Sequence, residues 1–198
     1  LQCWGRDSDG QTDVPLGLVN PVTVAAGYSH TCVIDDNGLR CWGSDNYGEA
    51  IVPTGLVNPV TVSADWSYTC AIDDNGVQCW GDNYNGQTDV PVGLVNPVAV
   101  AAGYSHTCAI STTTFSSSDD KVLQCWGNNS NGQTNVPTDL VNPVTVSSSG
   151  EHTCAIDDNG LRCWGRNQYG QTDVPTDLVN PEAVSAGVNY TCVLDDNG

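Results

Sequence analysis

The residues able to do chemistry in this chain are ten cysteines, three histidines and 23 carboxylates, against only five basic side chains. The cysteines come in pairs. Between Cys32 and Cys41 lies Val33-Ile34-Asp35-Asp36-Asn37-Gly38-Leu39-Arg40, two arms joined by a polar tip that ends in glycine. If Asp35 to Gly38 form the tip of a β-hairpin, Ile34 faces Leu39 and Cys32 faces Cys41. Directly opposed residues at a non-hydrogen-bonded site lie close enough for a disulfide. The same register pairs Cys70 with Cys79 and Cys154 with Cys163. In a longer copy it leaves Ile110 opposite Leu123 and pairs Cys108 with Cys125. Cys192 is then left with Cys3, within one chain if the repeats close into a ring and between chains if they run on as a fibre. Zinc is the rival use of paired cysteines, but pairs on opposed strands without a second pair in register do not make a four-ligand site. Five disulfides require an oxidising compartment, so the protein is expected outside the cell or on its surface.

The histidines, His30, His106 and His152, all fall at one position of a repeat, where the remaining copies carry Tyr68 and Tyr190. Both residue types join an aromatic body to a polar tip. A recurring structural hydrogen bond accounts for this exchange, whereas a triad needs one unique Ser-His-Asp constellation, and none stands out. No catalytic residue is assigned and no enzyme is expected. The Asp-Asp-Asn-Gly tips are good turn formers. The stretch holding Asp7, Asp9 and Asp13 is calcium-like in composition, but it is too short for an EF-hand loop and lacks the bidentate Glu. These three are weak candidates, and no resident metal or cofactor is expected.

What must position these groups is a repeat. Cys-Trp-Gly recurs at Cys3, Cys41, Cys79, Cys125 and Cys163, at intervals of 38, 38, 46 and 38. The chain therefore reads as a single domain of five units, approximately 1–38, 39–76, 77–122, 123–160 and 161–198, with one eight-residue insertion and a hairpin split across the termini. There is no Met, so the chain reads as a mature product or an excerpt. Each unit opens on Leu-Val-Asn-Pro, a turn entry. An alternating β-branched stretch such as residues 22–26 follows as a first strand. Gly27, Gly103 and Gly187 close it, where a tight bend calls for a permissive backbone. The two hairpin arms are the second and third strands, and a loop such as Gly86-Gln87-Thr88-Asp89-Val90-Pro91 returns to the next unit. No window carries a helical period. Three short strands cannot bury both faces alone, so units must stack. Alternation along the hairpin puts each Cys on one face and its neighbouring Trp on the other. Trp4, Trp42, Trp80, Trp126 and Trp164 are then expected to form the repeat core between units. Trp66 stands outside that position and is a candidate contact residue.

Net charge is −18, which disfavours nucleic acid and anionic lipid as partners. No apolar run is long enough to insert into a membrane. Asn128 and Asn189 head N-glycosylation sequons. The insertion, residues 111–118, is hydroxyl-rich and reads either as a floppy loop or as an O-glycan carrier.

Val-Ala-Ala-Gly-Tyr-Ser-His-Thr-Cys (24–32 and 100–108), then Asp-Asn-Gly-Leu-Arg-Cys-Trp-Gly, then Gly-Gln-Thr-Asp-Val-Pro together resemble the RCC1-type repeat. The resemblance is to its short-period, three-stranded-blade type, as in β-lactamase inhibitor protein II. It implies an all-β propeller, with five units visible where those relatives have seven; an open superhelical stack of the same units is the alternative. The expected role is a non-catalytic extracellular structural or adhesive repeat protein, self-assembling end to end into a fibre. The alternative is a secreted propeller that binds or inhibits a protein partner through its loops. The partner is thus the chain itself or an unknown protein.

Overall fold

The computed structural model describes residues 1–112 and 120–196. The described residues are all-β and form five consecutive antiparallel sheets, or blades. Blade 1 is β1 (Thr23–Ala26), β2 (His30–Asp35) and β3 (Gly38–Gly43). Blade 2 is β4 (Thr61–Asp65), β5 (Tyr68–Asp73) and β6 (Gly76–Gly81). Blade 3 is β7 (Val95–Ala102), β8 (His106–Thr112) and β9 (Lys121–Gly127). Blade 4 is β10 (Thr145–Ser149), β11 (His152–Asp157) and β12 (Gly160–Gly165). Blade 5 has two strands, β13 (Ala183–Ala186) and β14 (Thr191–Leu194).

The hairpin register places Cys32 opposite Cys41, Cys70 opposite Cys79, Cys108 opposite Cys125 and Cys154 opposite Cys163. All four pairs are bonded. In blade 3 the longer arms keep Ile110 opposite Leu123, so extra chain enters at the tip, where it disturbs the ladder least. Residues 113–118 of the hydroxyl-rich insertion lie outside the described residues.

The first strands of successive blades pack on one another in the order β1, β4, β7, β10, β13 and so line the axis. No comparable contact returns from β13 to β1. The structure is an arc of five blades, and of the two pairings expected for Cys3 and Cys192 the one within the chain is not formed: both are free thiols. β14 pairs only with β13, and the segment carrying Cys3 pairs with no strand. Trp4 is correspondingly 86% exposed, unlike the other four tryptophans of the expected core, because no second strand lies beside it to seat its indole.

Cores form between blades. Cys32 and Ile34 pack on Val62. Tyr68, Cys70 and Ile72 pack on Val100 and Ala102. Cys108, Ile110 and Leu123 pack with Val146 and Ala155. In blades 1, 2 and 4 the middle strands are buried along their whole length, whereas β14, with no third strand beside it, alternates half-buried and exposed positions.

Two glycine positions have separate reasons. Gly103 does not adopt the left-handed backbone expected of a permissive bend. A Cβ there would lie 2.3 Å from the His106 ring, so the glycine makes room for an imidazole folded back over it, and Gly27 and Gly187 do the same under His30 and Tyr190. Gly127 of Cys-Trp-Gly combines φ +97° with a Cβ that would fall 2.6 Å from the Ser105 carbonyl.

Each hairpin bridge closes a short loop, so replacing Cys32 and Cys41 together by Ser is expected to cost about 2–3 kcal/mol. Urea unfolding of the oxidised protein measures this as a lowered midpoint; an unchanged midpoint would contradict it.

Candidate binding surface

Each blade has two ends. At one, the hairpin tip meets the Leu-Val-Asn-Pro turn. The Val19 N–H donates to the Asp35 carboxylate at 2.8 Å, and Val57, Val141 and Val179 do the same to Asp73, Asp157 and Asp195. Asn20 sits at φ +48° and its amide donates to Asp36 at 2.7 Å. These tip carboxylates therefore hold turns together. The Val19 N–H, the largest influence, keeps the Asp35 carboxyl below its ordinary pKa.

At the other end, the turn between first and second strands meets the loop after the third: Ser44 N–H donates to the Ser29 carbonyl at 2.7 Å. That loop is wedged between blades. The Gln87 carbonyl accepts from the Thr107 hydroxyl at 2.7 Å and from the Trp126 indole at 2.9 Å. Gln11 serves Thr31 and Trp42 in the same way, Glu49 serves Thr69 and Trp80, and Gln133 serves Thr153 and Trp164. The Gln and Glu side chains are buried and fold onto their own loops, as when Gln87 Oε1 accepts from the Asn85 N–H. This clamp was missed from sequence, where the loop reads as an extended connection. The recurring Gln among turn residues was the available signal.

The histidines complete the clamp. His30 Nε2 lies 2.8 Å from Thr69 Oγ1 in the next blade, His106 Nε2 2.9 Å from Thr153, and His152 Nε2 2.9 Å from Thr191. Each threonine already donates its proton to a loop carbonyl. It can only accept from the imidazole, which fixes the Nε2–H tautomer. The Nδ1 atoms are buried without a partner. Burial lowers all three pKa values, that of His106 to about 4. Tyr68 substitutes by donating to the His106 carbonyl and accepting from the Gly103 N–H at 3.0 Å.

Of the calcium-like carboxylates, Asp7 accepts the Thr12 N–H and Asp9 accepts the Ser8 hydroxyl. Among the described residues no group of three or more His, Cys, Asp or Glu converges as a metal cluster. Of the sequon asparagines, Asn128 is tied to Ser130, Gln133 and Asn85, while Asn189 is exposed.

The clamp leaves one run of side chains unspent. Tyr28, Trp66 and Tyr104 occupy the same turn position in blades 1 to 3, beside the axis. Their rings stack in series, Tyr28 to Trp66 and Trp66 to Tyr104, each with centroids 4.4 Å apart. The Arg6 guanidinium lies 5.5 Å over the outer face of the series at Tyr28. Trp66 thus belongs to a repeated turn position of its own, which blades 4 and 5 fill with Gly150 and Val188. Trp66 holds φ +31°, a left-handed conformation costing a bulky residue about 1–3 kcal/mol. Beside it, burial raises the Asp65 pKa against the opposing pull of the Trp66 N–H, Ser149 and Gly150.

The Regulator of chromosome condensation (RCC1) repeat matches residues 22–49, 60–87 and 144–171. Three of the blades thus resemble the RCC1 repeat in sequence, and in fold the chain is built of RCC1-like propeller blades. No curated protein matches the chain in sequence. Among solved structures, it is similar to the CRINKLY WD40 ectodomain of the Arabidopsis thaliana receptor kinase ACR4 (24% identity, TM-score 0.76, covering 98% of this chain and 69% of that one). It is also similar to the entire ectodomain of the Physcomitrella patens receptor kinase CR4 (21%, 0.72, 90% and 51%). A third is Prp20p of Saccharomyces cerevisiae, described with binding to Gsp1p and histones (17%, 0.68, 90% and 56%). The chain spans about half to two thirds of these proteins' lengths, and at such identities the likeness is one of fold.

The buried imidazoles give a pH dependence. Below about pH 6.5 the unfolded chain protonates at His106, whereas the folded site resists until about pH 4. The unfolded state binds more protons in that window, so stability falls as the pH drops through it, by up to roughly 3 kcal/mol for this residue. Thermal melts at pH 7 and pH 4.5 are expected to show the loss. The variant His106→Tyr, which takes the solution blade 2 uses, is expected to reduce it.

Proposed function

We propose that the chain is a non-catalytic, disulfide-stapled extracellular module that recognises a protein partner through the end of the arc bearing the loop clamps. The observation that carries this is Trp66. Its turn position takes glycine in blade 4, yet blade 2 places there a half-buried indole in a left-handed backbone. Strain retained at a half-buried aromatic between two exposed ones, Tyr28 and Tyr104, fits a contact surface better than a scaffold position. Histidines spent on hydrogen bonds between blades favour a non-catalytic role. The four disulfides and the likeness to receptor ectodomains favour an extracellular one. Prp20p, of similar fold, is described as binding other proteins.

A photo-crosslinking aromatic at position 28, in place of the first ring of the stack, tests this in the extracellular fraction of the source organism, with position 37 at the opposite end as control. The expected result is one crosslinked partner from position 28, none from 37, and its loss in Trp66→Gly. That variant is expected to stay folded, because relief of about 1–3 kcal/mol of backbone strain offsets lost ring contact. Equal crosslinking from both positions, or none, overturns the reading.

A second reading, self-assembly, is favoured by one observation. Cys192 lies unbonded on the open edge of β14, where other blades hold a third strand, and Cys3-Trp4-Gly5 repeats the sequence of those strands. Strand addition there sets Cys3 opposite Cys192. A ladder on non-reducing electrophoresis that collapses with reductant is the expected sign; a single monomer band excludes it.

A further inference from the structure

The stack of rings begins at an arginine and ends at a gap. At its first face the Arg6 guanidinium lies over Tyr28 and donates to its hydroxyl at 3.3 Å. At its last, Tyr104 is 39% exposed and lines a cavity of about 310 Å3 together with Gly150, Glu151, Arg166 and Val188. The next rung of the series belongs to residue 150, which is glycine. It cannot be otherwise: a Cβ there would lie 2.3 Å from the Val188 carbonyl oxygen. The fold thus prevents its own chain from filling the place beside Tyr104.

We propose that this notch receives an arginine side chain of a basic protein partner, stacked on Tyr104 and paired with Glu151. This rests on the partner-binding reading above and names the chemistry of the partner.

Charge chooses the occupant. The protein carries 23 acidic and five basic side chains, and its four arginines are engaged: Arg6 on Tyr28 and Ser8, Arg40 with Asp35, Arg162 with Asp139, Arg166 with Glu151. A guanidinium suits the place better than an ammonium, because its flat face stacks on a ring while its edge pairs with a carboxylate. Arg6 over Tyr28 shows the guanidinium–ring contact, without a carboxylate, at the other end of the same series. Glu151 is held by Arg166 at 2.8 Å, so an incoming arginine shares or displaces a contact 30% exposed on the arginine side.

The probe is a fluorescein-labelled peptide of alternating glycine and arginine, with a lysine version as its match, titrated into the oxidised protein and followed by anisotropy. The arginine peptide is expected to bind about threefold tighter than the lysine one, with Tyr104→Ala and Glu151→Gln each weakening it about three- to fivefold. Tyr104→Phe, which keeps the ring, should retain binding. Glu182→Gln removes the same charge at the opposite end of the arc and should leave the arginine preference unchanged. Amide NMR signals of Tyr104, Gly150 and Val188 should shift on titration, a readout that needs no variant to fold. Equal binding of both peptides, loss of affinity in Glu182→Gln as large as in Glu151→Gln, or shifts confined to other residues would mean diffuse attraction to an acidic surface and overturn the notch. A crosslinked partner from position 28 with no arginine preference overturns the notch alone; absence of both overturns the partner-binding reading as well.

Discussion

The Gln87 carbonyl takes two hydrogen bonds from the blade that follows it, one from a threonine hydroxyl and one from a tryptophan indole, and the carbonyls of Gln11, Glu49 and Gln133 do the same. The rest of the structure depends on this shared acceptor. A three-stranded sheet of six-residue strands has two faces to cover and too little chain to cover them. The carbonyl places the loop as a wedge against the next blade, the threonine then presents its oxygen to an imidazole from the blade before, and the middle strand ends up buried from end to end. Buried polar groups are stabilising only when satisfied, and here one threonine oxygen serves as donor to the loop and acceptor to the histidine.

Much of the architecture was legible because it is written in positions that repeat. The cysteine register followed from the length of the tip alone, and the insertion in blade 3 left that register intact. What could not be read is the part that depends on neighbouring blades. Stacking was expected to cover both faces of a hairpin, but not that β5 would be buried at every position with a loop carbonyl wedged against it. Gly103 looks like a bend residue in sequence, and only the folded-back His106 ring shows that it is there for space. In-phase termini fit a ring and a fibre equally, since phase along a sequence carries no information about curvature about an axis; in the folded chain β13 does not return to β1.

The candidate surface was the least legible of all. Trp66 was recognisable as out of pattern, but not as one ring of a stack with Tyr28 and Tyr104, which lie 38 positions before and after it. A series of rings is built here from one side chain per blade, so its geometry is set by the spacing of blades and not by any local motif. The same spacing puts Asp65 next to Gly150, residues of blades 2 and 4, which no periodic reading joins.

The bridge between Cys108 and Cys125 encloses the whole of the eight-residue addition in blade 3. A protease that severs the backbone between these two residues therefore does not release a fragment. Both halves stay linked by a covalent bond and by an uncut ladder next to it, so a nicked molecule and an intact one keep the same mass apart from one water, and damage at this site stays silent until a thiol is added.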